Sequence, residues 1–333
     1  MNTAWQPLVS IVTPVYNEAE YLAECIGSVL AQTYQNWDYT IVDNCSTDGS
    51  VEIARRYAAK DRRIRILENQ QFLCAIPNFN VALRQISPTS KYCKVVLGDD
   101  KLFPECLERM VAVAEEYPSV GIVGAYVLKE RQATLTGLPY QSKLFYGREV
   151  CRKHFLERLY VFGSENSVLY RADLVRSHDP FYNEANIHAD TEACFALLKT
   201  CDFGFIHEVL TFTRVRPGSL NTISTAMHTY WANMLYLLVT YGPEYLTPDE
   251  LEVCLDRHLS EYYRFLGKSL ILSHDKKFWD YHKRQLAEAG VGFSWTRLAR
   301  VTLAMLGRAM LNPKDTLERL LKRVEMHSIA RIN

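Results

Sequence analysis

A chain of 333 residues, 48% of them apolar, can bury one large core or a core with an appendage. Its 38 basic and 38 acidic side chains cancel, which argues against nucleic acid as a partner, since such domains carry a basic excess. Nine cysteines lie scattered with no C-x-x-C pair, the pattern of reduced thiols in a cytosolic protein. The start, "MNTAWQPLVS", lacks the charged and apolar regions of a signal peptide. No run reaches the roughly 18 apolar residues of a membrane span; "WANMLYLLVTY" from Trp231 reads as a core helix.

The first 130 residues alternate strand and helix patterns. "LVSIVTPVY" (8–16) is β-rich, and "EAEYLAECIGSVLAQ" places Tyr21, Leu22, Cys25, Ile26, Val29 and Leu30 on one helical face. A second strand, 39–44, precedes a helix for which Ser46, Thr47 and Asp48 are candidate caps. A third strand (64–69), a short helix from Asn78 and a fourth strand (93–97) follow. Pro104 is placed to open the next helix, ahead of a fifth strand at 120–128. Residues 131–162 show no clear period and read as an irregular region with a mobile loop. Beyond it, 164–175 reads as a strand leading into a helix, 189–200 as a helix and 203–215 as a strand or hairpin. From about residue 226 the pattern is helical, with a capping-box signature at Thr247–Glu250. The last segments, from Phe293 and from Pro313, are amphipathic and basic.

Strands alternating with crossover helices predict an α/β fold with a mainly parallel sheet covered on both faces. Ligands bind such sheets beyond the carboxyl ends of the strands. Polar residues stand at those ends: Asn17 and Glu18 after the first strand, Asp43 and Asn44 after the second, Asp99 and Asp100 after the fourth.

The run from Val9 to Gly49 resembles the inverting family 2 glycosyltransferases of the GT-A fold. It carries Pro14, Tyr16, Asn17, Glu18, Ser28, Gln32, Asp43, Ser46, Thr47, Asp48 and Gly49. The likeness continues through "GDDKLFPECLERM" and, more weakly, to about Ser219. It implies a GT-A domain over about 1–225 and a helical extension over 226–333. It also implies a nucleotide-diphosphate sugar donor, a saccharide or lipid-linked acceptor, and transfer with inversion in surface polysaccharide or glycolipid synthesis. Asp43 would contact the base, with Thr13, Pro14, Tyr16 and Glu18 lining the nucleoside pocket and Asp99 close to the donor. An unaided reading leaves Asp43 as a turn acid at a strand end.

A diphosphate leaving group is concentrated negative charge, which carboxylates hold only through a cation. Asp99 and Asp100 would carry Mg²⁺ or Mn²⁺ for that purpose; the alternative is a solvated turn. The family motif is Asp-x-Asp, and Leu97 stands where its first acid normally lies. In "NIHADTEACFALLKT", Asp190 matches the family's general base, while Ala189 replaces the usual glutamate. Here the alternative is a helix cap at Asp190, with Glu192 favouring the first turn. Arg214 or Arg216 could pair with the diphosphate or face solvent; His188 and His207 read as structural.

The C-terminal helices set Trp295, Leu298, Val301, Met305 and Leu306 near Arg297, Arg300 and Arg308. They suit either peripheral contact with an anionic membrane or packing on their own core or a second copy of the chain. Two other functions remain open. A nucleotidyltransferase would need a basic, glycine-rich loop where "TPVYNEAE" stands. A non-catalytic sugar-nucleotide-binding subunit would account for Leu97 and Ala189.

Overall fold

Seven residues of β1 (Val9–Val15) are all buried, as a β-branched run between two covered faces should be. This is a computed structural model, and it describes residues 6–216, 218–271 and 275–311. Helix α1 (Ala19–Leu30) buries Leu22, Cys25, Ile26 and Val29, one stripe at helical spacing. The alternation continues with β2 (Trp37–Asp43), α2 (Ser50–Ala58), β3 (Ile64–Glu68), α3 (Ala75–Leu83) and β4 (Tyr92–Val95). After a short β5 (Lys101–Leu102), α4 (Cys106–Glu116) starts two residues later than Pro104 suggested, and leads to β6 (Val120–Lys129).

The region without a clear period is ordered into β7 (Gln132–Thr134), β8 (Leu144–Phe145) and α5 (Gly147–Glu157). Helix α5 buries Val150, Cys151, His154 and Phe155 on one face. A 3-10 turn, Glu165–Ser167, then enters β9 (Val168–Arg171) and α6 (Ala172–Arg176). Next come α7 (Ala189–Leu197), β10 (Asp202–Thr213) and α8 (Leu220–Met227).

The strands lie in the order β3-β2-β1-β4-β9-β6-β10-β5, with β7 paired to β6 and β8 to β10. β3, β2, β1 and β4 are parallel, as are β6 and β10; β9 runs antiparallel between β4 and β6. Val15 pairs with Asp43, and Asp43 with Glu68, so these carboxyl ends finish level. The core beneath joins Val9, Ile11, Ile26, Tyr39, Leu107, Met110 and Val123.

The remaining helices are α9 (Tyr230–Tyr245), α10 (Pro248–Ile271), α11 (Lys276–Glu288) and α12 (Trp295–Leu311). The chain forms two compact units: one runs to Ala226 and takes in Tyr241–Thr247, the other comprises Met227–Thr240 and the chain from Pro248. The second unit has its own core of Leu235, Tyr262, Tyr263, Leu266, Phe278, Leu286 and Leu298. Thr302 of α12 packs over Gly267 of α10, where an added Cβ would lie 3.0 Å from its Oγ1. Arg297 is engaged inside that unit, donating to Ser260 at 3.2 Å. Trp295 and Leu303 of α12 are exposed. The basic segment 313–324 lies outside the described residues. Among the described residues no helix is long and apolar enough to cross a membrane.

Candidate active site

Two loops lock together where β1 and β2 end. Asn17 takes a left-handed φ of 52°. Its backbone N–H donates to Ser46 Oγ at 3.0 Å, and its side-chain oxygen accepts from Thr47 N at 2.8 Å. Glu18 N donates to Ser50 Oγ at 2.9 Å, and Ala19 N to Asp48 Oδ2 at 2.9 Å. Ser46 and Asp48 therefore serve the start of α1; α2 begins at Ser50, its N-cap Gly49 offers no side chain, and Asp48 Oδ1 accepts from Ser50 N at 3.1 Å. Burial opposes the charge on Asp48, but bonds from Ser50 and Ala19 hold its carboxyl below the usual range.

This lock fixes one rim of a cavity of about 680 Å³. Pro14, Tyr16, Glu18, Asn44 and Phe72 line that end. The rings of Tyr16 and Phe72 lie 4.8 Å apart, and both are largely exposed. Asn44 ties the following loop in place, donating to Leu73 O at 2.8 Å and accepting from Leu73 N at 2.9 Å. Asp43 is buried beside it: Oδ2 accepts from Ser46 N at 3.0 Å, while Oδ1 has no partner. Thr13 does not reach the cavity wall; it is fully buried and its hydroxyl pairs with Tyr39 at 2.8 Å.

Asp99 and Asp100 follow Gly98 on the same wall. An added Cβ at Gly98 would lie 1.9 Å from Glu18 Oε2, so only glycine lets Glu18 lie against this turn. Arg216 joins the acids, its Nε donating to Asp99 Oδ2 and its Nη2 to Glu18 Oε1 at 2.6 Å. Asp100 accepts from Arg214 N at 2.9 Å and Thr213 Oγ1 at 3.2 Å. Burial, then the charge on Asp99, pushes Glu18 up to about 8 despite Arg216. The same two causes push Asp100 up to about 7. Glu18 Oε2 is buried and unpartnered. Neither Arg214 nor Arg216 is a loose surface cation, since Arg214 also donates to Glu24 at 2.7 Å. The turn is thus a desolvated charge cluster.

Asp190 lines the same cavity, in the first turn of α7. The N-cap is His188, so Asp190 is not the cap; its Oδ1 accepts from Thr191 N at 2.7 Å. Burial raises its carboxyl to about 6 against the hydrogen bonds to Thr191. Tyr160 stands on the same wall, donating to Gly163 O at 2.9 Å. Glu192 is buried away from the cavity and accepts from Asn183, from Asn186 at 2.8 Å and from Tyr241 at 3.3 Å. His188 lines the cavity, whereas His207 is held between Tyr126 and the Ser142 carbonyl, each at 2.9 Å.

Glu165 was not anticipated. It is 8% exposed, lines the cavity and lies within the field of Asp190. The signal for it was the turn-forming run "GSENS" at 163–167. Phe72 was also missed; it opens the apolar run Phe72–Ile76, which reads as the approach to a helix.

The arrangement has known counterparts. The model of the family described as "Glycosyl transferase family 2" matches residues 10–178. An uncharacterized glycosyltransferase of Haemophilus influenzae is 26% identical over 188 residues, 55% of this chain and 58% of the relative. The putative teichuronic acid biosynthesis glycosyltransferase TuaG of Bacillus subtilis is 33% identical over 132 residues, 40% of this chain and 52% of the relative. The chain thus spans about half the length of these curated relatives. The structure of S. aureus TarS 1–349 with UDP-GlcNAc superposes with TM-score 0.62 at 16% identity, covering 84% of this chain and 80% of that one. That of the mannosyltransferase PcManGT from Pyrobaculum calidifontis, with GDP-Man and Mn²⁺, gives 0.55 at 16% identity, covering 94% and 83%. Both likenesses concern the fold, which is of the GT-A type. With half the chain matched by the family model, and with acidic strand ends opening on one cavity, the protein belongs to glycosyl transferase family 2.

Proposed function

We propose that this protein transfers a sugar from a nucleotide-diphosphate donor to a hydroxyl of a saccharide or lipid-linked acceptor, with inversion at the anomeric carbon. One observation carries the reading: Asp99 and Asp190 line the same cavity. The nucleoside would lie at the Pro14, Tyr16 and Glu18 end; Asp43, buried and off the cavity wall, would shape that end by holding the Ser46 loop. The diphosphate would face Asp99, Asp100 and Arg216, and the sugar would extend toward Asp190. The acceptor oxygen then bonds to the anomeric carbon as the bond from that carbon to the diphosphate oxygen breaks. The electron pair leaves with the nucleoside diphosphate, and the acceptor proton passes to the Asp190 carboxylate.

The acids suit Mg²⁺ or Mn²⁺: they are hard oxygen donors, and Glu18 Oε2 is buried without a partner. Among the described residues no group of three or more ligands forms a closed metal site. One or two carboxylates completed by substrate phosphate is the ordinary arrangement for such an ion. Asp99, with Asp100 behind it, would hold the ion, which when bound supplies positive charge to the leaving diphosphate. Arg216 would pass from Asp99 and Glu18 to the phosphate oxygens.

A role in surface polysaccharide or glycolipid synthesis is supported by the relative named for teichuronic acid biosynthesis. Peripheral contact with an anionic membrane is supported by exposed Trp295, Leu303 and Arg300 of α12. The test is a thermal-shift panel of nucleotide sugars with Mn²⁺, followed by donor hydrolysis with and without the ion. Binding of one donor and its Mn²⁺-dependent hydrolysis are expected; a flat panel would sink the reading.

A further inference from the structure

Glu165 is largely buried on the cavity wall, where desolvation and the charge on Asp190 oppose its ionisation, and its own backbone N–H donates to its carboxyl. A carboxyl has more hydrogen-bonding capacity than that one bond uses, and what remains is turned to the cavity.

The turn that carries it is heavily built. Gly163 has φ of 71°, and a Cβ there would lie 2.2 Å from Ser167 Oγ. Ser164 and Ser167 close a reciprocal capping box around the turn. Asn166 donates to Phe212 O at 3.3 Å. Beneath it lies Lys94 of β4, wholly buried, donating to the carbonyls of Asn166 and, at 2.9 Å, Val168. Burying an ammonium is expensive, and burial pulls Lys94 down to about 8. A buried lysine, a strained glycine and two serines therefore fix a turn of three residues whose first side chain faces the cavity.

The position of Glu165 indicates what it faces. Asp190 and Asp100 both act on its charge, Asp190 more strongly. It shares the cavity wall with Asp99, Asp100 and Asp190, the groups assigned above to the diphosphate and the acceptor, so a sugar held among them comes within its reach. We propose that Glu165 is a specificity-determining residue that binds a hydroxyl of the donor's sugar ring; the proposal rests on the transferase reading above. Burial, then the charge on Asp190, raises the carboxyl above its usual range, which favours the protonated form that donates to a sugar oxygen.

The experiment is equilibrium binding with Mn²⁺ of UDP-, GDP- and dTDP-sugars, each against its own nucleoside diphosphate. Unaltered protein, Glu165→Ala and Glu165→Gln are compared. Glu165→Ala is expected to weaken the nucleotide sugar about tenfold and leave the bare nucleotide unchanged. Glu165→Gln, which keeps a neutral donor, should restore the sugar affinity to within about threefold. Retained nucleotide binding shows that the variants are folded. Equal loss of sugar nucleotide and nucleotide would make the residue merely structural and overturn the proposal, as would no loss in either. If the unaltered protein binds no nucleotide or nucleotide sugar, the transferase reading itself fails, and this inference falls with it.

Discussion

Replacing Arg216 by alanine removes the one side chain that ion-pairs with both Glu18 and Asp99. The acids keep only 10% and 9% of their side-chain surface exposed, and Arg216 25%. Removing one partner of a buried pair costs about 3–5 kcal/mol, because a charge is left desolvated. Two features reduce that here. A quarter of the Arg216 side-chain surface is already in water. Glu18 can also take up a proton, its carboxyl being pushed to about 8 by burial and Asp99. We expect a loss of about 2–3 kcal/mol, taking the partial exposure off the buried-pair figure. For a unit of this size that lowers the melting temperature by about 4–12 °C. Differential scanning fluorimetry at pH 7.5 without metal reads it directly. The vacated acids should then welcome a cation, so Mn²⁺ should raise the melting temperature of Arg216→Ala more than that of the unaltered protein. Arg55→Ala serves as a control, since both members of the Arg55–Glu68 pair are largely exposed and its loss should not register. A variant as stable as the unaltered protein without metal, or an equal Mn²⁺ response, would refute the picture of a desolvated acid cluster held by Arg216.

Asp190→Asn should lower transfer about 10²–10⁴-fold while nucleotide-sugar binding persists, as measured by product formation beside calorimetry. Since burial raises Asp190 to about 6, the unaltered protein should have an ionised base at pH 7 and lose transfer as pH falls through 6; a rate flat from pH 5 to 7 would contradict that role. Lys94→Met leaves two buried carbonyls without a donor and should cost about 2–3 kcal/mol in urea unfolding; an unchanged midpoint would show that the turn does not need the lysine. Tyr16→Ala removes half of the exposed ring pair and should weaken nucleoside diphosphate binding by about 1–2 kcal/mol if a base stacks there. The same loss in a ribose-phosphate control without a base would show that stacking is not its role.

The parallel half of the sheet was legible because its signals are local. β1 and β2 are rich in β-branched and aromatic residues, α1 carries one clean stripe, and both strands lead into polar residues. Ser46–Asp48 are capping residues by type, but which helix they cap was settled by tertiary contact. The side chains of Ser46 and Asp48 meet the backbone N–H groups of Asn17 and Ala19, about 30 residues earlier in the chain. Helix α5 escaped notice because its mostly polar sequence, Gly147–Glu157, lacks a side-chain N-cap, and its apolar face has meaning only against the core it covers.

Fold class, acidic strand ends and family were legible in the order of the amino acids alone. These depend on residue type and spacing along one stretch of chain. Which acids share a cavity, and how each is charged there, follows from the packing of segments far apart in the chain. Asp99 meets Arg216 from far along the chain, and Glu18 rests against Gly98. Thr13 turns into the core, and Glu165 is carried to the cavity by a turn anchored on Lys94. Desolvation and like-charge proximity are properties of packed neighbours, so no local pattern announces them.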